Sequence, residues 1–393
     1  MLDSLMKSAS GRIGVAFVAA ALQMAGPANA GASIVLDVSS GKVLAQENAF
    51  QRWYPASLTK LMTAYIAMRA LKTGQLTLTS PVKISANAAK QPPSRMGYKP
   101  GSVLTLDNAL KIMLVKSAND IAVAVGETAG GKNYAELMNT EAQRLGMGSS
   151  HFVNANGLHS PAHYSSARDL AVLSFALRTE FPEYARYFGI EAISYGDHLE
   201  RNYNILLGRF AGADGMKTGF VCASGFNIVA SATRNGRTLV AVVLGEISQE
   251  RRAEKAAALL SEGFASPSAA GQDLANMTAP VPANLQAVNM KSTVCSKQAA
   301  SDRWDGRDVE GRMHLDSPYI TAMTREPETV AVGLGGATGP GTTAIAANDN
   351  FPETGIPVPT PRPAYTPSNA APMALTGDTN LRKGMPVPAA SSN

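Results

Sequence analysis

Three short clusters set a side chain able to attack or donate beside one able to move a proton. They are Ser57-Leu58-Thr59-Lys60, Ser117-Ala118-Asn119 and Lys217-Thr218-Gly219. On a helix, residues three apart share a face, so Ser57 would hold its hydroxyl beside the Lys60 amine. A serine hydroxyl is a weak nucleophile until a base takes its proton. A lysine is that base only where burial and neighbouring charge hold it neutral. Ser117 and Asn119 interrupt an apolar helical stretch with two hydrogen-bonding side chains. Lys217-Thr218-Gly219 offers a cation, a hydroxyl and a stretch without a side chain where a substrate backbone can approach. Taken singly, each has an ordinary structural reading: a capping Ser with a solvated Lys, a polar helix end, a turn. Together and in this order they are hard to obtain by accident.

The elements around these clusters follow from hydrophobic period and turn chemistry. Ile34-Val35-Leu36 and Lys42-Val43-Leu44 flank Ser39-Ser40-Gly41 and predict a hairpin. From Ser57 to about Leu71, apolar residues recur at spacings of three and four behind Pro55, which predicts a helix that starts at the first cluster. Leu106 to Thr128 is helical with an interruption at 116–119. Tyr134 to Leu145, closed by Gly146, and Ser166 to Leu177 are two more helices. Phe226 to Ala232 and Thr238 to Leu244 are strands joined at Asn235-Gly236, and Glu250 to Phe264 returns to helix. The expected fold class is therefore α/β of the α+β type. One antiparallel sheet is built from the N- and C-terminal segments, flanked by helices, with a helical insert between them.

The chain has 393 residues, 45% hydrophobic and 17% charged, which excludes collagen-like, coiled-coil and wholly disordered chains. Its charge of +5 comes from 35 basic and 30 acidic residues with no dense basic block, so no nucleic-acid partner is expected. Two cysteines, Cys222 and Cys295, exclude a disulfide-dense scaffold and a thiolate metal site. Cys222 reads as a small buried hydrophobe, and a Cys222–Cys295 bridge is left open. His159 and His163 stand four apart, but Pro161 between them opposes a metal-binding helix; no metal and no cofactor are expected.

Residues 1–30 read as a signal peptide: Lys7 and Arg12, an apolar run from Ile13 to Ala25, then Ala28-Asn29-Ala30 with cleavage after Ala30. The chain is expected to be exported to the periplasm or the cell-wall side of the membrane. Residues 31–265 are expected to form the catalytic domain and 266–349 a weakly structured extension, with a few strands between Ala279 and Tyr319. Fifteen of the 23 prolines follow Phe264, and nine of those follow Asn350. Residues 350–393 are read as a disordered Pro/Ala-rich tail.

The three clusters resemble those of the penicillin-binding and serine β-lactamase superfamily, whose pattern is Ser-x-x-Lys, a Ser-containing triplet and Lys-Thr-Gly. Within it the chain is similar to the low-molecular-weight D-alanyl-D-alanine carboxypeptidases. The similarity runs through Pro55-Ala56-Ser57-Leu58-Thr59-Lys60-Leu61-Met62-Thr63 and Lys116-Ser117-Ala118-Asn119-Asp120. It continues through Asn156-Gly157-Leu158, Tyr164-Ser165-Ser166-Ala167-Arg168-Asp169, Gly215-Met216-Lys217-Thr218-Gly219 and Gly225-Phe226-Asn227-Ile228-Val229-Ala230.

The resemblance implies a β-lactamase/transpeptidase-like fold and a role for each matching position. Ser57 would attack a terminal D-Ala-D-Ala bond of a peptidoglycan stem peptide and form an acyl-enzyme. Lys60 would take its proton, and Ser117 would relay one to the leaving D-alanine. Asn119, Lys217, Thr218 and Gly219 would hold the substrate. Backbone N–H groups of Ser57 and Phe220 would form an oxyanion hole, worth about 10²–10³ in rate per donor. The family also places an arginine near the substrate carboxylate; of the adjacent Arg251 and Arg252, Arg252 fits better by its spacing to Leu259-Leu260. β-Lactam antibiotics would acylate Ser57. A DD-endopeptidase and a catalytically silent wall-binding or penicillin-sensing protein are the alternatives. A β-lactamase is disfavoured, because Glu136-Leu137-Met138-Asn139 lacks the Glu spacing used for deacylation and Glu136 reads as a helix-surface residue. The tail shows no amphipathic period, which puts membrane anchoring in doubt.

Overall fold

The computed structural model describes residues 31–279, 286–305 and 314–341. The expectations for residues 1–30 and for the tail from 350 lie outside them.

The chain opens with β1 (Ala32–Asp37) and β2 (Lys42–Glu47), a hairpin whose turn carries Gly41 at φ 69°. A single 3-10 turn, Ala56–Leu58, then leads into α1 (Thr59–Lys72). Every α1 residue from Thr59 to Leu71 is buried, polar ones included, so α1 is the central helix of the insert. Around it lie β3 (Pro81–Lys83), α2 (Ala86–Ala89), β4 (Val103–Thr105), α3 (Leu106–Val115), α4 (Asn119–Gly130), α5 (Tyr134–Arg144) and α6 (Ala167–Glu180). The interruption read at 116–119 is the break between α3 and α4. A small hairpin follows, β5 (Ala192–Tyr195) and β6 (His198–Arg201). The chain then returns to the main sheet through β7 (Ala213–Val221), β8 (Gly225–Arg234) and β9 (Arg237–Glu246), and covers it with α7 (Gln249–Ala265).

The main sheet has six antiparallel strands, with β10 (Gln272–Asp273) at one edge, in the order β10-β2-β1-β9-β8-β7. The N-terminal hairpin thus meets the C-terminal strands side by side, as the sequence predicts. Alternate residues sort the two faces. Val240, Val242 and Leu244 join the cluster of the helical insert, while Leu239, Ala241 and Val243 pack with Ala253, Ala256 and Leu260 of α7. Among the described residues β7 is the far edge strand, with no strand on its outer side.

Residues 266–341 differ from the expectation of strands between Ala279 and Tyr319. The described residues of that stretch hold two helices, α8 (Lys291–Val294) and α9 (Lys297–Asp305), and no strand. Further along, β11 (Thr329–Ala331) pairs with β5 in parallel. Cys222 and Cys295 form a disulfide with Cα atoms 5.6 Å apart, which corrects the reading of Cys222 as a lone buried hydrophobe.

Trp53 ties the sheet to the start of α1. It is 1% exposed, and its Nε1–H donates to Ser224 O at 2.7 Å. Its ring lies against Gly245, whose φ of +83° leaves no room for a Cβ. Gly245→Ala combines left-handed strain with overpacking against the Trp53 ring. It should lower unfolding free energy by about 2–4 kcal/mol. Urea unfolding checks this, and a loss under about 1 kcal/mol would contradict it.

Candidate active site

Ser57 stands in the 3-10 turn at the head of α1, and Lys60 lies one turn on. Its Nζ is 3.0 Å from Ser57 Oγ, 2.9 Å from Asn119 Oδ1 and 2.7 Å from Asn156 O. The amide and carbonyl oxygens can only accept, so each takes an N–H bond from Nζ, and the Ser57 hydroxyl is its third partner. Once Nζ gives up a proton, its lone pair is free for the Ser57 hydroxyl. Lys60 is fully buried, and burial drives its pKa well below the usual lysine range. The charge of Lys217 pushes the same way, and Asp120 opposes by less.

The turn holding Ser57 is shaped by close backbone contacts. Ala56 has φ 50°, sparsely populated for a residue with a Cβ. Its carbonyl abuts Gly157, at φ +84°, with no space for a side chain there. A Cβ on Gly219 would lie 2.9 Å from Pro55 O and 3.0 Å from Ser57 N, so only glycine lets β7 come this close. Asn227, at a bulge in β8, donates to Tyr54 O at 3.0 Å and accepts from Gly245 N at 2.9 Å.

Ser117 and Asn119 sit at the α3–α4 break. Ser117 has φ 61°, and its Oγ is buried with no hydrogen-bond partner among the described residues. Asn119 is fixed through Nδ2–H donors to Pro92 O at 3.0 Å and Pro93 O at 3.2 Å, leaving Oδ1 to Lys60. Asp120 accepts from Met96 N and Gly97 N, which ties the 92–97 loop to the same break.

Lys217, Thr218 and Gly219 lie mid-strand on β7, and Phe220 follows with its ring 40% exposed. Lys217 is 1% exposed; burial and the nearby Arg252 lower its pKa to about 7. Arg252 is the buried member of the arginine pair. It donates to Gly219 O at 3.3 Å and Tyr203 O at 3.3 Å, and burial lowers its pKa to about 10. Arg251 instead points outward to Glu254. Lys217 and Arg252 therefore place two buried basic groups at β7, a setting for an anionic substrate end. The set can take a proton from a hydroxyl, receive developing negative charge and bind a carboxylate.

Two contributors carry no signal of their own in the sequence. Asn156 acts through its backbone carbonyl, which any residue owns. His163, in the loop before α6, is buried: Val153 N–H donates to its Nδ1 at 3.1 Å, so its Nε2–H faces Thr59 Oγ1 at 2.7 Å. Burial lowers its pKa to about 3, so it stays neutral as a brace on the head of α1. Glu136 is exposed on α5, as read. Among the described residues no group of three His, Cys, Asp or Glu could hold a metal ion.

The chain matches known proteins over this catalytic part. A family model described as D-alanyl-D-alanine carboxypeptidase (Peptidase S11) matches residues 19–248. D-alanyl-D-alanine carboxypeptidase DacC of Escherichia coli strain K12 is 35% identical over 258 residues, 63% of this chain and 64% of that protein. DacD of the same strain is 36% identical over 244 residues, 60% of this chain and 63% of that protein. The chain thus spans less than two thirds of the length of these curated relatives. The crystal structure of DacD from Francisella tularensis has a TM-score of 0.58 at 30% identity, over 61% of this chain and 71% of that one. Ampicillin-bound penicillin-binding protein D2 of Listeria monocytogenes has a TM-score of 0.53 at 30% identity, over 60% of this chain and 97% of that one. A family model spanning more than half the sequence, with solved relatives of the same fold, makes this chain a member of the D-alanyl-D-alanine carboxypeptidase family, within the penicillin-binding and serine β-lactamase superfamily.

Proposed function

We propose that the chain is a serine-type D-alanyl-D-alanine carboxypeptidase that removes the terminal D-alanine from peptidoglycan stem pentapeptides. The observation that carries this reading is the buried Lys60 amine 3.0 Å from Ser57 Oγ, with two pure acceptors, Asn119 Oδ1 and Asn156 O, also bonded to its Nζ. Ser57 Oγ attacks the penultimate carbonyl carbon, and its proton passes to Lys60. Negative charge develops on the carbonyl oxygen between the N–H groups of Ser57 and Phe220. Lys217 and Arg252 favour the substrate's terminal carboxylate, and Asn119, Thr218 and Gly219 align its backbone. Ser117 Oγ, otherwise without a partner, relays the proton to the leaving amine as the C–N bond breaks. Water then frees the acyl-enzyme. A β-lactam amide enters by the same attack and stays on Ser57.

Residues 31–265 form the catalytic domain in this reading, and 266–349 an extension of it. Export to the periplasm or the cell-wall side of the membrane fits the Cys222–Cys295 disulfide, because such bonds persist in oxidising compartments. None of the described helices is long and apolar enough to cross a membrane.

Incubating the full chain with purified stem pentapeptide should give a product one alanine lighter by mass spectrometry. Ser57→Ala should cut that rate at least about 10³-fold. A wild type that leaves the pentapeptide intact, or a Ser57→Ala chain that trims it equally well, contradicts the reading.

The pH profile of kcat/KM should have two limbs of known sign. Activity falls on the acid side as Lys60 gains a proton and loses its lone pair. It falls on the alkaline side near pH 7, as Lys217 gives up the charge that draws the carboxylate. Asn119→Asp puts a carboxylate where Oδ1 now stands, 2.9 Å from Lys60 Nζ, and favours the ammonium. The acid limb should then move up by about 1–3 pH units. An unmoved acid limb would remove Lys60 as the base.

A further inference from the structure

β7 lines the site, yet it is an edge strand, and its hairpin end carries Phe220. The ladder closes at Val221↔Gly225, and the turn 222–224 is bonded within itself, Ser224 N–H donating to Val221 O at 2.9 Å, as well as from outside the sheet. Trp53 Nε1–H grips Ser224 O from the α1 side. From the other side comes the segment after the catalytic domain. Val288 N–H donates to Arg52 O at 3.1 Å, Met290 N–H donates to Ala223 O at 2.9 Å, and Cys295 is bonded to Cys222. Arg303, on α9, is held by its own donation to Val294 O at 2.6 Å and sets its guanidinium 5.6 Å from the centroid of the Phe226 ring. Phe226 pairs with Phe220 across the ladder, with ring centroids 4.2 Å apart. A continuous path of contacts therefore runs from the crosslinked segment to the residue whose N–H faces the developing oxyanion.

We propose that residues 288–303, clipped by Cys222–Cys295, are a positioning element for acylation, acting through Phe226 and Phe220; this rests on the reading of Ser57 as the acylated residue. The clip sets the end of β7, and Arg303 is a positioning residue that touches no substrate. Misplacing an oxyanion donor by about 1 Å costs on the order of 10²-fold in rate. Freeing the turn should therefore lower the maximal acylation rate more than it weakens encounter with the ligand.

The test follows acylation of the oxidised full chain by a fluorescent penicillin, giving a saturating rate and a half-saturating concentration. A water-soluble phosphine then breaks the S–S bond: phosphorus takes oxygen from water to become phosphine oxide, and two thiols form. Two free thiols per chain are verified by mass. The saturating rate should fall roughly 10-fold or more, with the half-saturating concentration within about 2-fold. Reoxidation by oxidised glutathione, which leaves two reduced glutathione molecules per bond, should restore it. Arg303→Ala, with the disulfide intact, should lower the same rate about 3-fold, and Arg303→Lys should recover most of it. An unchanged saturating rate on reduction, a loss that reoxidation fails to reverse, or a fall confined to half-saturation overturns the clip while leaving Ser57 as nucleophile. An oxidised wild type that takes no label, or a Ser57→Ala chain that labels fully, overturns the functional reading and the clip with it.

Discussion

Burying one lysine amine, which drives it toward giving up its proton, is the constraint on which the rest depends. An isolated ammonium in a low-dielectric interior is costly, and a lysine there relieves the cost by giving up its proton. α1 is buried on every side, so Lys60 cannot reach water with its head group. Lys217 favours the neutral form from β7, and two acceptor oxygens fix the direction of the amine. Helical insert, sheet and the loop around Asn156 each supply one part of that environment. None of them alone would make Ser57 reactive.

A second constraint is close approach. The nucleophile's turn is wedged between Gly157 on one side and Gly219 on the other, each at a distance that excludes a side chain. Ala56 and Ser117 accept left-handed backbone to complete the site. Such conformations persist only where surrounding packing over-determines them. Here it does so through Asn227, Trp53 and the neutral His163, which fix the strand, the hairpin and the helix head to one another.

Much of this was legible in the sequence. Apolar residues at spacings of three and four located α1, and the polar interruption at 116–119 located the α3–α4 break. Gly41 and Asn235-Gly236 marked hairpins whose positive φ angles follow from their turn chemistry. Ser57, Lys60, Asn119, Lys217 and Arg252 lie in one neighbourhood because strands from before and after the helical insert meet in one sheet. What stayed hidden has physical reasons. Strands of three or four residues, such as β3, β4, β5 and β6, are too short to show a period. β11 pairs with β5 from far along the chain, and two cysteines 73 residues apart carry no sign of pairing. A backbone carbonyl such as that of Asn156 has no residue signature. His163 does lie in a loop, but its burial is hidden because its partner, Thr59, is close only in the fold.

The charge state of Lys60 tests the account most directly. Heteronuclear NMR of lysine side chains, with the Lys60 signal assigned by its loss in Lys60→Arg, reads it without substrate. A neutral amine at pH 7 that takes up a proton only in acid is the result predicted here. An ammonium at Lys60 persisting through neutral pH to the ordinary lysine range would contradict it.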